Sequence, residues 1–191
     1  MTWEDIQAIR KSGHFQEAID IGLQYLANDP DDFKLRTQID WAFYGLVKTL
    51  VSTVVEKLKA SQPVPGQTID QIHKELRRFA KQPKRRPDNA LSNIIREVCK
   101  IAPHFKPFPG FIRWVGNDGL SKEDWQYSLR DEKRYPPIAL RVARALAKWV
   151  KAFHNDATPK DIDLALEWID RIRPTAEDDD ALWLDWDKVF C

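Results

Sequence analysis

Apolar residues recur at steps of three and four along most of the chain, which is the period of an α-helix buried on one side. The longest such run lies between Asp32 and Ala60, and its apolar stripe contains Leu35, Ile39, Phe43, Leu46, Leu50, Val54 and Leu58. Trp41 and Val47 widen this stripe and predict a central helix that is contacted on two sides. No segment alternates apolar and polar residues for long enough to indicate a strand. The pattern predicts an all-α protein.

Capping residues, glycines and prolines divide the pattern into about eight or nine helices. Thr2 with Asp5 is a capping signature for the first helix, and Gly13 is placed to end it. A proline-containing turn at residues 28–31 ends the second helix, because proline cannot continue the hydrogen-bond ladder. Thr68 is the expected cap of the fourth helix, and Thr158 precedes a proline that suits a first helical position.

The chain length of 191 residues suits one substantial core. Residues 1–60 are predicted to form helical hairpins with a long third helix. Residues 61–191 supply further helices packed on them, in one continuous domain. Ser61 to Gln67 reads as a loop, and the basic, proline-bracketed linker from Gln82 to Pro87 is the best candidate for a mobile segment.

The first third of the chain resembles a tetratricopeptide repeat. The residues that carry the resemblance are a turn glycine, an aromatic, a small residue and a terminating proline, which are Gly13, Phe15, Ala18 and Pro30. Ile39 and Phe43 would begin a second unit, while Gly22 and Tyr25 depart from the usual bulky and small positions. The resemblance covers about residues 1–50 and implies stacked antiparallel hairpins that bind a partner. Because a solenoid needs about three stacked repeats, the later helices must complete the core.

A vaguer resemblance covers nearly the whole chain. It rests on blocks at residues 3–6, 42–46, 111–114, 122–125 and 181–188, which look like the helical proteins of TOTE-type bacterial anti-phage conflict operons. This resemblance implies a defence or stress setting. It implies nothing about the role of any residue.

The net charge of +1 hides two segments of opposite charge. From His73 to Arg86 the chain carries seven basic residues and one acid, whereas Asn155 to Asp187 carries a net charge of −8. The basic residues are Lys74, Arg77, Arg78, Lys81, Lys84, Arg85 and Arg86, and the first four share a helix face. Such a surface suits a phosphate backbone or an acidic protein. Two solvated faces that neutralise each other are the simpler alternative.

Aromatic residues are the second candidate site. Those beside predicted turns are Phe105, Phe108, Trp114, Trp125 and Tyr135. Aromatic side chains that are exposed at loops anchor protein interfaces. Loop aromatics that fill the core are the commoner alternative.

Motifs for catalysis and for cofactors are missing from the sequence. The four histidines and two cysteines have no metal-ligand spacing, and no phosphate-binding glycine loop or nucleophile elbow occurs. Cys99 lies on an apolar helical stripe and reads as a packing residue. The acids at residues 177–180 precede a predicted helix and lack the pattern of a calcium loop. No cofactor or metal is expected.

The sequence therefore predicts a non-enzymatic adaptor or scaffold that binds another protein or peptide. The alternative is a nucleic-acid-binding protein that uses residues 74–86, and an enzyme of unrecognised type ranks last. No signal peptide or membrane span is recognised, and a reducing cytoplasm fits best. Neither the partner nor the oligomeric state follows from the residues, so self-association stays open.

Overall fold

The computed structural model describes residues 2–82, 89–119 and 138–172, and among these residues the regular secondary structure is helical, with no strand. They form eight α-helices, and the all-α class that the periodicity predicted is confirmed. The helices are α1 (Trp3–Lys11), α2 (Phe15–Leu26), α3 (Phe33–Lys59), α4 (Gly66–Ala80), α5 (Asn89–Cys99), α6 (Phe108–Trp114), α7 (Ile138–Ala152) and α8 (Pro159–Ile172). A 3-10 turn (Ala102–His104) precedes α6, and a π-helical turn (Val115–Gly119) follows it. The helices predicted around Trp125 and over 181–190 lie outside the described residues.

The chain divides into two compact units. The first contains Met1–Pro83 and Asp88–Ile94, and the second contains Lys84–Pro87 and Ile95–Cys191. Helix α4, which the sequence assigned to the segment after residue 60, packs on α3 in the first unit. Among the described residues, no helix combines the length and the apolar character needed to cross a membrane.

The first unit is built around α3, which packs against α1, α2 and α4. The buried apolar side chains of α1 to α4 are Ile6, Ala18, Ile19, Leu26, Leu35, Ile39, Ala42, Phe43, Val47, Val51, Val54, Ile72, Leu76 and Phe79. The rings of Phe43 and Phe79 meet edge to face, with centroids 5.4 Å apart. The 27-residue α3 is thus contacted on more than one side, as the width of its apolar stripe predicted.

The turn between α1 and α2 depends on Gly13. Its φ is +88°, a left-handed conformation that costs little only for glycine. The Gly13 N–H donates to the Arg10 carbonyl (3.0 Å) and the His14 N–H donates to the Ile9 carbonyl (3.2 Å), which is the Schellman pattern of a helix end. At the other end of α1, the Thr2 N–H donates to the Asp5 carboxylate (2.7 Å), so the predicted cap is confirmed.

Two glycines let α2 and α3 approach each other closely. A Cβ atom at Gly22 would lie 2.6 Å from Ile39 Cγ1, and a Cβ atom at Gly45 would lie 2.3 Å from the ring of Phe15. Both distances are shorter than a van der Waals contact, so neither position has room for a side chain. Gly22, which departs from the tetratricopeptide pattern, is therefore a packing residue.

We expect Gly22→Ala to lower the free energy of unfolding by about 1–3 kcal/mol, because the new methyl group overlaps the buried Ile39 side chain. Gly110→Ala in α6 is the matched control, since a Cβ atom there meets nothing within 4 Å. The control should gain up to about 1 kcal/mol from the higher helix propensity of alanine. Urea unfolding followed by circular dichroism measures both. Equal stability of the two variants would contradict the close approach of α2 and α3.

The second unit has its own core. Trp149 in α7 is buried, and its indole N–H donates to the Phe105 carbonyl at 3.2 Å. Helix α8 opens on Thr158, whose N–H and hydroxyl donate to the Asp161 carboxylate at 3.0 and 2.7 Å. The guanidinium of Arg113 in α6 donates to the other oxygen of the same carboxylate at 2.8 Å. Asp161 thereby joins the predicted cap of α8 to α6.

The structure corrects the start of one helix and the buried faces of two others that the apolar period predicted. Helix α4 begins at Gly66 after Pro65, one turn earlier than the Thr68 cap predicted. For α2 the spacing predicts a buried stripe of Ala18, Ile21, Tyr25 and Ala27. The buried residues are Ala18, Ile19, Gly22 and Leu26, and Tyr25 is 39% exposed. For α8 the three-and-four spacing predicts a buried stripe of Ile162, Leu166, Ile169 and Ile172. Leu166 is exposed, and the buried residues are Asp161, Leu164, Ala165, Trp168 and Ile169. Both α2 and α8 carry apolar residues on more than one face, and the neighbouring helices select which face is buried.

Candidate functional site

A groove of about 700 Å³ lies on the first unit and is formed by α1, α2 and α3. Its lining consists of Arg10, Phe15, Trp41, Tyr44, Gly45, Lys48, Thr49, Ser52, Thr53 and Glu56. All but the first two of these residues belong to α3. From Trp41 to Glu56 the helix rises about 22 Å, so the groove is elongated. Its volume falls within the range typical of ligand-binding clefts.

Aromatic side chains occupy the end of the groove that lies nearer the start of α3. The rings of Trp41 and Tyr44 meet edge to face, with centroids 5.7 Å apart. The ammonium group of Lys48 lies 5.8 Å from the centroid of the Tyr44 ring, which is within cation–π range. Trp41 and Tyr44 are half-buried, so part of each ring remains accessible. Amphipathic rings in this state are the usual energetic centres of protein interfaces.

Charged groups distinguish the ends of the groove. Arg10, at the end of α1, is held by a hydrogen bond from its Nε to the buried Gln38 at 3.3 Å. Partial burial lowers the pKa of the Arg10 guanidinium, which nevertheless stays charged at neutral pH. Lys48 is a second cation, whereas Glu56 is an acid further along α3. The groove can therefore orient a ligand that carries charge.

The floor of the groove exists because Gly45 has no side chain. The Phe15 ring lies directly against the bare α3 backbone at this position. Further along, the hydroxyl groups of Thr49 and Thr53 donate to carbonyls one helical turn earlier, at 3.0 and 3.2 Å. These hydroxyl oxygens still have lone pairs with which to accept hydrogen bonds from a ligand.

Sequence reasoning missed this groove, although a signal for it was present. Positions 41, 44, 48, 52 and 56 step by three and four, so they form a second stripe along α3 beside the buried one. Trp41 was interpreted as a widening of the core. The structure instead leaves part of the Trp41 ring accessible, and the residues that follow it in the stripe are half-buried or exposed.

The predicted basic face on α4 contains two kinds of residue. Arg78 is committed to internal pairs, because it donates to Glu75 (3.0 Å) on its own helix and to Asp20 (2.6 Å) on α2. The Glu75 side chain is fully buried and also accepts a hydrogen bond from Gln71 at 3.0 Å. The guanidinium of Arg78 lies 5.9 Å from the Phe43 ring. Arg78 is therefore part of the packing of the first unit.

Electrostatics of the Asp20–Arg78 pair favour the charged forms. Partial burial raises the pKa of Asp20, but hydrogen bonds from Arg78 and Gln16 and the charges of Arg78 and Lys74 lower it by more. The resulting pKa lies below its usual value. Desolvation lowers the pKa of Arg78, and the interactions with Asp20 and Glu75 outweigh it and raise the pKa. The Asp20 carboxylate therefore stabilises the fold above about pH 4, and this contribution is lost as the pH falls through its lowered pKa.

The other basic residues of the described segment point to solvent. Lys74, Arg77 and Lys81 are all exposed. Their positions at i, i+3 and i+7 place them on one face of α4 and its C-cap. The remaining predicted residues of the segment, Lys84, Arg85 and Arg86, lie outside the described residues.

The prediction that aromatic residues beside turns are exposed anchors is wrong for two of them. Phe105 and Phe108 are completely buried and belong to the core of the second unit, so neither is a surface anchor. The proline-rich connector folds into a 3-10 turn and the start of α6, which turns both rings inward. Trp114 is half-buried, and its ring stacks on Phe111 with centroids 5.9 Å apart. Trp125 and Tyr135 lie outside the described residues.

The Cys99 thiol is a poor nucleophile at neutral pH. Burial raises the pKa of the Cys99 thiol to about 12, so the nucleophilic thiolate is scarcely populated at neutral pH. Within residues 2–82, 89–119 and 138–172, no three side chains of the metal-ligating types lie close enough together to hold an ion. A smaller cleft of about 310 Å³ on the second unit is lined by Arg113, Lys160, Asp163 and Glu167 among others.

No family model, curated protein or solved structure matches this chain. The resemblances to tetratricopeptide repeats and to the proteins of anti-phage operons therefore stay predictions.

Proposed function

We propose that this protein is a non-enzymatic interaction module that binds a peptide segment of a partner protein in the groove formed by α1, α2 and α3. The observation that carries the proposal is the pair of half-buried rings, Trp41 and Tyr44, in an elongated groove of about 700 Å³. Aromatic anchors in a cleft are the usual source of affinity in protein recognition. A groove about 22 Å long holds about seven residues of an extended peptide.

Packing of the first unit supports the same proposal. Helix α3 contacts both helices of the preceding hairpin, and glycines at the α2–α3 interface bring the two helices close together. This arrangement agrees with tetratricopeptide-like stacking, in which helical hairpins present a groove. A cytoplasmic adaptor role in a bacterial defence or stress response is the setting that the second resemblance implies, and it forms part of the proposal.

The proposal is tested by selecting ligands for the full-length chain from a displayed library of random twelve-residue peptides. Selected peptides are titrated against the purified protein by fluorescence anisotropy. We expect Trp41→Ala to weaken binding about 30-fold, which is the loss typical of a hot-spot residue. Thr49→Trp replaces an exposed groove residue by a bulky one and should block binding without changing the core.

Phe33→Ala is the matched control, because Phe33 is an aromatic residue 65% exposed that does not line the groove. It should bind the selected peptides as the unchanged protein does. Circular dichroism checks that each variant is folded. If no peptide is selected, or if Thr49→Trp binds the selected peptides normally, the groove is not the binding site and the proposal fails.

A further inference from the structure

The exposed face of α4 is a basic surface that the groove does not use. Lys74, Arg77 and Lys81 lie there within about 10 Å along the helix axis, and all three are exposed. Among the described residues, no hydrogen bond or ion pair holds the Arg77 or Lys81 side chain. In contrast, Arg78 is turned away toward Glu75 and Asp20. The structure thus separates three outward cations from one internal one.

The same face offers nothing that would anchor a protein. The exposed residues of α4 are Gly66, Gln67, Asp70, Lys74 and Arg77, and Lys81 follows at the C-cap. Every one of them is polar or is glycine. Protein interfaces take their affinity from aromatic and aliphatic side chains buried at the centre of the contact, and charged pairs at a rim add little. We therefore expect an acidic protein to bind this face only weakly.

Single-stranded nucleic acid is also a poor fit to this face. Proteins that bind single strands stack the bases on aromatic side chains. The exposed face of α4 has no aromatic residue. A nucleic-acid duplex needs no such platform, because its phosphates are regularly spaced on the outside and are bound by flexible cations.

We propose that Lys74, Arg77 and Lys81 form a site for the phosphate backbone of a nucleic-acid duplex, bound without regard to sequence. The rise from Lys74 to Lys81 corresponds to about three phosphate steps along one strand. Asp70 lies one helical turn before Lys74, so the site is confined to the C-terminal half of α4. This site is independent of the peptide groove, whose residues lie on α1, α2 and α3.

The test is a fluorescence anisotropy titration of the full-length chain with a labelled 20-base-pair duplex of arbitrary sequence, between 50 and 200 mM salt. The test variant carries Lys74→Gln, Arg77→Gln and Lys81→Gln. Each phosphate neutralised contributes about −0.9 to the slope of log K against log salt. Over this range the unchanged protein should therefore lose about 40-fold more affinity than the triple variant does.

The matched control carries Lys11→Gln, Lys59→Gln and Lys151→Gln, which removes the same charge from exposed positions on α1, α3 and α7. It should keep most of the duplex affinity and the salt slope of the unchanged protein. Asp70→Asn removes the acid next to the site and should tighten duplex binding about two- to threefold. Melting temperatures of all variants are recorded alongside.

Three outcomes would overturn the inference. Equal loss of binding in the two triple variants would show that only net charge matters. Tighter binding to a 20-residue polyglutamate peptide than to the duplex would assign the face to an acidic protein. A lower melting temperature of the test variant with unchanged duplex binding would show that the cations only balance the α4 dipole. None of these results bears on peptide binding in the groove.

Discussion

Replacing Arg78 by methionine should lower the free energy of unfolding by about 3 kcal/mol. The substitution leaves the carboxylate of Glu75, which is fully buried, without its guanidinium partner, and breaking a buried ion pair from one side is strongly destabilising. We take the lower end of the usual range because the Arg78 side chain is 27% exposed and water screens part of the interaction. Urea unfolding measures the change.

Arg77→Met is the control for this prediction, since it makes the same chemical change one position earlier on an exposed site. Its effect should stay within about 0.5 kcal/mol. In the double variant Glu75→Leu with Arg78→Met, both charges of the buried pair are removed, and most of the lost stability should return. Equal stability of Arg77→Met and Arg78→Met would show that the Glu75–Arg78 pair does not hold the first unit together.

Phe108→Ala should cost about 3–5 kcal/mol, because it removes a fully buried ring from the core of the second unit and leaves a cavity. Phe33→Ala deletes the same ring from a site that is 65% exposed and should change stability by less than about 0.5 kcal/mol. Urea unfolding of the two variants provides the comparison. A Phe108→Ala variant as stable as Phe33→Ala would show that the Phe108 ring is not part of the core.

Arg78 and Phe108 are residues whose location the residue type and its neighbours in sequence do not determine. Arg78 has the same residue type and nearly the same position as Arg77, and both were assigned to one basic face. Neighbouring residues on an α-helix point about 100° apart. Arg78 therefore faces Asp20 on α2, which is 58 positions away in the sequence, whereas Arg77 faces solvent. No local pattern reports such a partner, since it depends on how α4 packs in the first unit.

Aromatic residues near prolines were ambiguous for a similar reason. A proline-rich connector is compatible with an exposed loop and with a tight turn that drives its rings inward. The choice depends on the core that receives the rings, and here the Phe105 carbonyl is bound by the buried Trp149 indole. The groove was missed because Trp41 suits either a wide core stripe or a ligand-facing stripe, and the stripe alone does not distinguish them.

By itself, the sequence determined the all-helical class, the end of α1 at Gly13 and the caps at Thr2 and Thr158. These features depend on backbone geometry and on hydrogen bonds between residues at most five positions apart, so local order specifies them. Only the tertiary structure decided which helix face is buried, which arginine is paired internally, and where a groove remains open. Those outcomes depend on contacts between helices distant in sequence, where the fit of Ile39 over Gly22 or of Phe15 over Gly45 selects one packing among several that the apolar pattern allows.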